Sequence, residues 1–281
     1  MLLKLIKVII LAVLLTSCMS KQPSTKFIGH FQADKDLFIA HFDCKTDVDD
    51  VLSVAGVVSM LSDPRFSNVK YHAVAGAYGI QEGLYVPANE LFDISFGSNW
   101  SDAHADFARA LKEETALVMK TLKEGGNIWI AEGGQSDFTA SLIRNIKSNQ
   151  PSVQTTKCIH VVQHSDWNEN VTSPDNLLYV KANSSYIKIP DGNVVGNGSP
   201  GLKTTEKINL QKYISNPGLL HIWNLALEIA NKYNGKDSRY KNPAIANGGL
   251  DFSDVSESCW IFGFNNIVDV KQFFKEFSSS P

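Results

Sequence analysis

Residues Leu37 to Val51 read LFIAHFDCKTDVDDV. Leu37 to Phe42 is an apolar run of strand length, and Val48 to Leu61 carries apolar residues at helical spacing. Asp43, Asp47, Asp49 and Asp50 therefore occupy the turn where a strand hands over to a helix. In an open α/β sheet that turn is where ligands bind, because the carboxyl ends of the strands open a crevice there.

The same punctuation recurs along the chain. Strand-like runs at Leu37 to Phe42, Tyr71 to Ala75, Ile128 to Ala131 and Cys158 to Gln163 alternate with helix-like stretches at Val48 to Leu61, His104 to Lys123, Phe138 to Ile146 and Leu219 to Tyr233. The alternation predicts an α/β fold, a mostly parallel open sheet flanked by helices. Lys188 to Lys207, rich in Gly, Asn, Pro and Thr, reads as a long loop, which in a compact domain is functional or simply mobile. No break in composition divides residues 31–281, which are expected to form a single domain.

Residues 1–17 combine two early lysines with an apolar core of about a dozen residues, as an export signal does. Leu15, Thr16, Ser17 and Cys18 resemble the lipobox of bacterial lipoproteins. That resemblance implies a lipid-bearing Cys18, a tether over residues 18–30, and an exported chain anchored to a bacterial membrane on its periplasmic or cell-surface side. An ordinary signal peptide cleaved elsewhere is the other reading. The net charge of −3, with acids and bases interspersed, shows neither a nucleic-acid footprint nor a basic membrane patch, so small molecules or saccharides are the expected partners. Cys44, Cys158 and Cys259 form no CxxC pair and no metal-like spacing, and a disulfide framework is not expected.

Four segments carry chemistry. The first is the aspartate-rich turn. One or two of its acids would suffice to cap the following helix, whereas four packed together repel one another, and a hard cation with a preference for oxygen ligands offsets that repulsion. The second, Ile128 to Leu142 (IWIAEGGQSDFTASL), is a strand, a glycine turn and a helix for which Ser136 is a natural N-cap; Gly133 and Gly134 permit close backbone approach. The third, Ile159 to Asn170 (IHVVQHSDWNEN), ends a strand in His164, Asp166, Trp167, Asn168 and Glu169. Carboxylate and amide groups pair with sugar hydroxyls while an aromatic face covers the apolar side of a ring, so this mixture suits a saccharide. The fourth, Asn247 to Phe262 (NGGLDFSDVSESCWIF), brings Asp251 and Asp254 from far along the chain.

In this order the four segments resemble the nucleoside hydrolase family and its divergent relatives. The residues that carry the resemblance are Asp43 with Asp49 and Asp50, then Gly133 to Asp137, then Asp166, Trp167 and Asn168, then Asp254. The resemblance implies a nucleoside hydrolase-like fold with calcium held by Asp50, Asp254 and the backbone carbonyl of Ser136. It also implies sugar hydroxyls bound by Asp49, Asp166 and Asn168, with His164 and Trp167 beside them. The implied chemistry is hydrolysis of an N-glycosidic bond by a metal-assisted water that an aspartate deprotonates.

One departure bears on that chemistry. Counting back from Asp50, Lys45 stands where the family has a metal ligand and general base, and Asp47 stands where it has glycine; Ala77 replaces an asparagine. An ammonium repels calcium. Three outcomes remain open: Asp47 or Asp43 takes over as base and ligand, Lys45 itself replaces the metal, or Lys45 points away to solvent. The expected function is accordingly a lipid-anchored hydrolase of N-glycosidic or related glycosidic bonds, with Asp43, Asp47 and Asp49 as its catalytic acids. The alternative is a catalytically inactive sugar- or nucleoside-binding lipoprotein on the same fold. A phosphotransferase using Asp43 as nucleophile would want a second carboxylate two residues on, where Lys45 stands.

Overall fold

In the computed structural model, which describes residues 26–277, six strands form one parallel sheet. They are β1 (Leu37–Phe42), β2 (Lys70–Ala75), β3 (Trp100–Asp102), β4 (Ile128–Gly133), β5 (Ile159–Gln163) and β6 (Ser185–Lys188), in the spatial order β3-β2-β1-β4-β5-β6. The architecture is α/β. From β1 the chain builds outward through β2 to β3, then crosses back to lay β4 on the other side of β1. That crossing makes a switch point between β1 and β4, where the loops leaving the two strands diverge and open a crevice.

Side chains of β1 alternate between two cores. Phe38, Ala40 and Phe42 pack with Val51, Leu52 and Trp223, from the helices Asp49–Leu61 and Pro217–Tyr233. Leu37 and Ile39 pack with Ile128, Ile130, Val118 and Ile143, the last two from the helices Phe107–Lys123 and Asp137–Asn149. A strand buried on both faces has no solvent side to mark with polar residues, which is why it reads as an unbroken apolar run. At about 1.5–3 kcal/mol for each large apolar side chain fully buried, this double packing fixes the strand ends on which the site is built.

The edge strands β3 and β6 were not evident from periodicity. They are short and carry the polar-rich sequences WSD and SYIK, as sheet edges do. Cys158 closes the one-turn helix Thr155–Cys158 and does not open β5. Residues 27–30, within the span read as tether, pack on the domain: Phe27–Ile28 pairs with Phe31–Gln32, and the His30 N–H donates to the Ile261 carbonyl at 2.9 Å. The expected signal peptide and Cys18 lie outside the described residues. Cys44, Cys158 and Cys259 are free thiols. Among the described residues, no helix is long and apolar enough to cross a membrane.

Candidate functional site

Asp43, Asp47, Asp49, Asp50, His164, Trp167, Asn168 and Asp254 line one cavity of about 800 Å³ at the carboxyl ends of β1, β4 and β5. Two predicted residues do not line it: Asp166 and Ser136. Two non-glycine residues beside it take left-handed backbone, Cys44 (φ 50°) just past β1 and Ser165 (φ 69°) just past β5. Such conformations cost about 1–2 kcal/mol and persist where the surroundings enforce them, commonly at sites. Here they turn the chain sharply next to Asp43 and next to His164.

Helix capping does not account for the aspartates. The cap position of the helix Asp49–Leu61 is Val48, with no side-chain cap bond. Asp47 Oδ1 accepts the adjacent Val48 N–H at 2.5 Å, Asp49 Oδ1 accepts the Asp50 N–H at 3.0 Å, and Asp50 Oδ2 reaches back to the Cys44 N–H at 2.6 Å. Asp43 is held on both oxygens, by the Lys45 N–H at 2.7 Å and by Gln135 Nε2 at 2.6 Å.

The glycine turn after β4 lets these acids close in. A Cβ on Gly134 would stand 2.6 Å from Asp43 Cβ, and one on Gly133 would stand 3.1 Å from Asp254 Cβ and 3.4 Å from Asp50 Oδ1. Ser136 caps the helix Asp137–Asn149 by position only; its Oγ donates to Gln163 Oε1 at 3.4 Å and its carbonyl accepts the Ala140 N–H at 2.9 Å.

Oxygens of Asp49, Asp50 and Asp254 lie within 4.8 Å of one another. Burial pushes all three carboxyls well above the usual range, reinforced by Asp47 and Asp251 at Asp49, by Asp43 at Asp50 and by Asp49 at Asp254. Asp254 Oδ2 accepts the Ser53 hydroxyl at 3.2 Å. Asp50 Oδ1, by contrast, is buried and accepts no hydrogen bond from an N–H or hydroxyl donor; the Asp43 carboxyl is the polar group within reach of Asp50, an acid against an acid. A buried carboxylate oxygen left unsatisfied costs about 1–3 kcal/mol or more, and a hard cation at this point would satisfy it and screen the three charges together. The donor set therefore fits calcium or a similar oxygen-seeking ion.

Lys45 lines the same cavity, and its charge draws Asp43 down, but it pairs with none of these acids. Its Nζ stands 4.4 Å from the centre of the Tyr78 ring, and it forms no ion pair among the described residues. The cavity-lining ammonium that does form an ion pair is Lys203, 2.7 Å from Asp251 Oδ2 and 2.9 Å from Asn193 Oδ1. Strand pairing sets it there, since Lys203 is the register partner of Asp251 across the short antiparallel pair Lys203–Thr204 and Leu250–Asp251. Asn242 Nδ2 donates to the same Asp251 oxygen at 2.7 Å and to Asp47 Oδ2 at 3.3 Å. Burial raises Asp47 to about 7, against the Val48 N–H and with Asp251 adding to it; burial raises Asp43 to about 6.

His164 is buried, with Nδ1 2.7 Å from Glu257 Oε1 and Nε2 3.9 Å from both Asp254 Oδ1 and Asp191 Oδ1. Burial alone would lower its pKa, but the Glu257 charge and hydrogen bond carry it up to about 9. Asn168 is buried in the wall, whereas the Trp167 indole is 60% exposed. Asp166 lies outside this wall, its side chain 87% exposed and paired with Lys188.

The residues not singled out by sequence reasoning are Gln135, Asn193, Lys203, Asn242 and Glu257. Gln135 and Glu257 lie within the second and fourth segments and Asn193 and Lys203 within the irregular stretch Lys188 to Lys207, but each is a single polar residue with no patterned neighbour to mark it. No model of a known protein family matches the chain, and no curated protein matches it.

Proposed function

We propose that the protein is a hydrolase of glycosidic bonds, N-glycosidic or related, acting on a nucleoside- or sugar-like substrate with the help of calcium. The observation that carries this reading is the partnerless buried Asp50 Oδ1 within the Asp49, Asp50 and Asp254 cluster. Asp50 and Asp254 would hold the ion, with Asp49 at its edge. When bound, the ion supplies Lewis acidity that acidifies and orients a water.

Asp47 is the better base of the two candidates. Both oxygens of Asp43 are engaged at 2.6–2.7 Å, while Asp47 Oδ2 has only the 3.3 Å contact with Asn242 and is free to take a proton. Its raised pKa suits that task near neutral pH, since general bases work best with a pKa near the working pH. The water oxygen bonds to the anomeric carbon as the glycosidic bond breaks. The bonding pair leaves with the aglycone, and the water proton passes to Asp47 Oδ2. His164, oriented by Glu257, presents Nε2–H to the cavity and can return a proton to the leaving atom. Ionised carboxylates around the anomeric carbon stabilise its oxocarbenium character. Trp167 offers a ring face and Asn168 an amide to the sugar.

A sugar-binding protein without catalysis is the second reading. Lys203 favours it, because its ammonium already neutralises Asp251 beside Asp47 and Asp49. The lysine concerned is Lys203 and not Lys45, whose ammonium rests on Tyr78. Export and lipid attachment at Cys18 belong to the same proposal and rest on the N-terminal sequence alone. The test is product release from nucleosides and oligosaccharides with calcium or with a chelator, using Asp47→Ala and Asp49→Ala as controls. Calcium-dependent turnover lost in both variants supports hydrolysis; saccharide binding without turnover supports the binder.

A further inference from the structure

Asp166 stands apart from the main cavity, and its surroundings give the reason an interest of its own. It lines a second depression of about 410 Å³ together with Trp167, Lys188, Pro190 and Asp191. Ser165 and Trp167 line both depressions, so the exposed indole is a shared wall between them. Asp191 Oδ1 lies 3.9 Å from His164 Nε2, which lines the main cavity. The two hollows are thus neighbours across one aromatic residue and one histidine–aspartate contact.

The second hollow has the chemistry of a sugar subsite. The Asp166 side chain is 87% exposed and that of Asp191 41% exposed, leaving oxygens free to accept hydroxyl hydrogens. Lys188 Nζ contacts Asp166 and is also held at 3.0 Å by Glu169, which takes the Lys181 ammonium at 2.7 Å and the Tyr186 hydroxyl at 2.8 Å. This backing network fixes the position of a donor that would otherwise be a flexible surface lysine. Asp191 is fixed too, its Oδ1 accepting the Asn193 N–H at 2.9 Å. Pro190 and the Trp167 ring supply apolar surface for the face of a sugar ring. The hollow's volume falls within the usual range of small-molecule sites, about 300–1,000 Å³.

We infer that this depression is a second saccharide subsite, so that the substrate is an oligosaccharide or glycoconjugate whose two sugar units straddle Trp167. The inference rests on the glycosidic reading of the main cavity and narrows it, because Asp166, Lys188 and Asp191 offer charged partners to the hydroxyls of a second sugar ring.

The experiment is calorimetric titration of the full chain with calcium present. The probes are ribose, glucose, galactose and N-acetylglucosamine, their disaccharides, and adenosine and uridine. At least one disaccharide is expected to bind roughly tenfold more tightly than its monosaccharide, the size of one charge-assisted hydrogen bond. In Lys188→Ala and Asp166→Ala that ratio should fall to about one, with an unchanged melting temperature showing that both variants remain folded. A ratio near one in the unaltered protein, or a ratio that survives both substitutions, overturns the second subsite while leaving the main cavity's reading intact. No binding of any sugar or nucleoside overturns both.

Discussion

Two clusters of charge lie close to β1, one within the sheet's core and one beyond its carboxyl end, and they have been resolved in opposite ways. On β1, His41 sits two residues before Asp43, and its register partner on β4 is Glu132. His41 Nδ1 is 3.0 Å from Glu132 and Nε2 is 3.0 Å from Glu114, while the Thr139 hydroxyl donates to Glu132. All three groups are fully buried and each is hydrogen-bonded within the fold, the one imidazolium being shared between the two carboxyls. At the strand ends, Asp49, Asp50 and Asp254 gather just as closely, yet Asp50 Oδ1 has no partner, and the ammonium nearby is spent on Asp251. A buried charge whose complement is folded in with it is part of the framework. One whose complement is missing marks a place for something from outside.

The first way to break this comparison is to unmatch the internal cluster. His41→Ala leaves two glutamates facing each other in the core and should cost about 3–5 kcal/mol, read from chemical denaturation, with calcium giving no rescue. Asp50→Asn at the site should do the reverse. Without calcium its stability should hold, because burial and the neighbouring Asp43 already favour the uncharged carboxyl there, while hydrolysis falls on the order of a hundredfold or more. If Asp50→Asn proves as destabilising as His41→Ala, the two clusters are the same kind of object and the distinction fails.

The pH dependence separates them next. Asp43 and Asp47 are raised from 3.8 to about 6 and about 7, so the folded chain holds protons that the unfolded chain has released. Without calcium, stability should therefore fall as pH rises from about 4 to about 7, and calcium or Asp47→Asn should flatten that slope. His41 is raised from 6.5 to about 10, with Glu114 and Glu132 outweighing burial. Its contribution is complete below pH 6.5 and is lost as pH climbs toward 10, with or without calcium. Thermal unfolding across pH 4–10 with and without the ion reads both windows; a calcium effect confined to the alkaline window would contradict the assignment.

The smallest effect belongs to Lys45. Its ammonium on Tyr78 is worth about 0.5–1 kcal/mol, so Lys45→Ala should lower stability by no more than that and leave calcium affinity within about twofold. A large gain in calcium affinity would mean that the ammonium competes with the ion and that Lys203 is not the cation that matters.

What could be read from sequence follows from these same differences. The interior strands β1, β2, β4 and β5 announce themselves because burial on both faces demands an apolar run, while the edge strands WSD and SYIK carry no such demand. Asp43, Asp47, Asp49 and Asp50 were visible as a cluster because one turn holds them all. Lys203, Asn242 and Glu257 were not, because only the fold brings them from distant parts of the chain to Asp251, Asp47 and His164. Asp166 was read with Asn168 because they are neighbours in sequence, yet the turn after Ser165 sends the two side chains to different hollows. His41 and Glu132 hid inside apolar runs, where a lone polar residue gives no sign of its partner.

The most direct test of the account is calcium binding to the full chain, followed by calorimetry and by melting temperature. The unaltered protein should bind one ion saturably and gain about 2.7 kcal/mol of stability at a hundredfold excess over the dissociation constant. Asp50→Asn should lose both the binding and the shift. Absence of any shift at millimolar calcium, or an equal shift in Asp50→Asn, would contradict the claim that the partnerless oxygen of Asp50 marks a cation site.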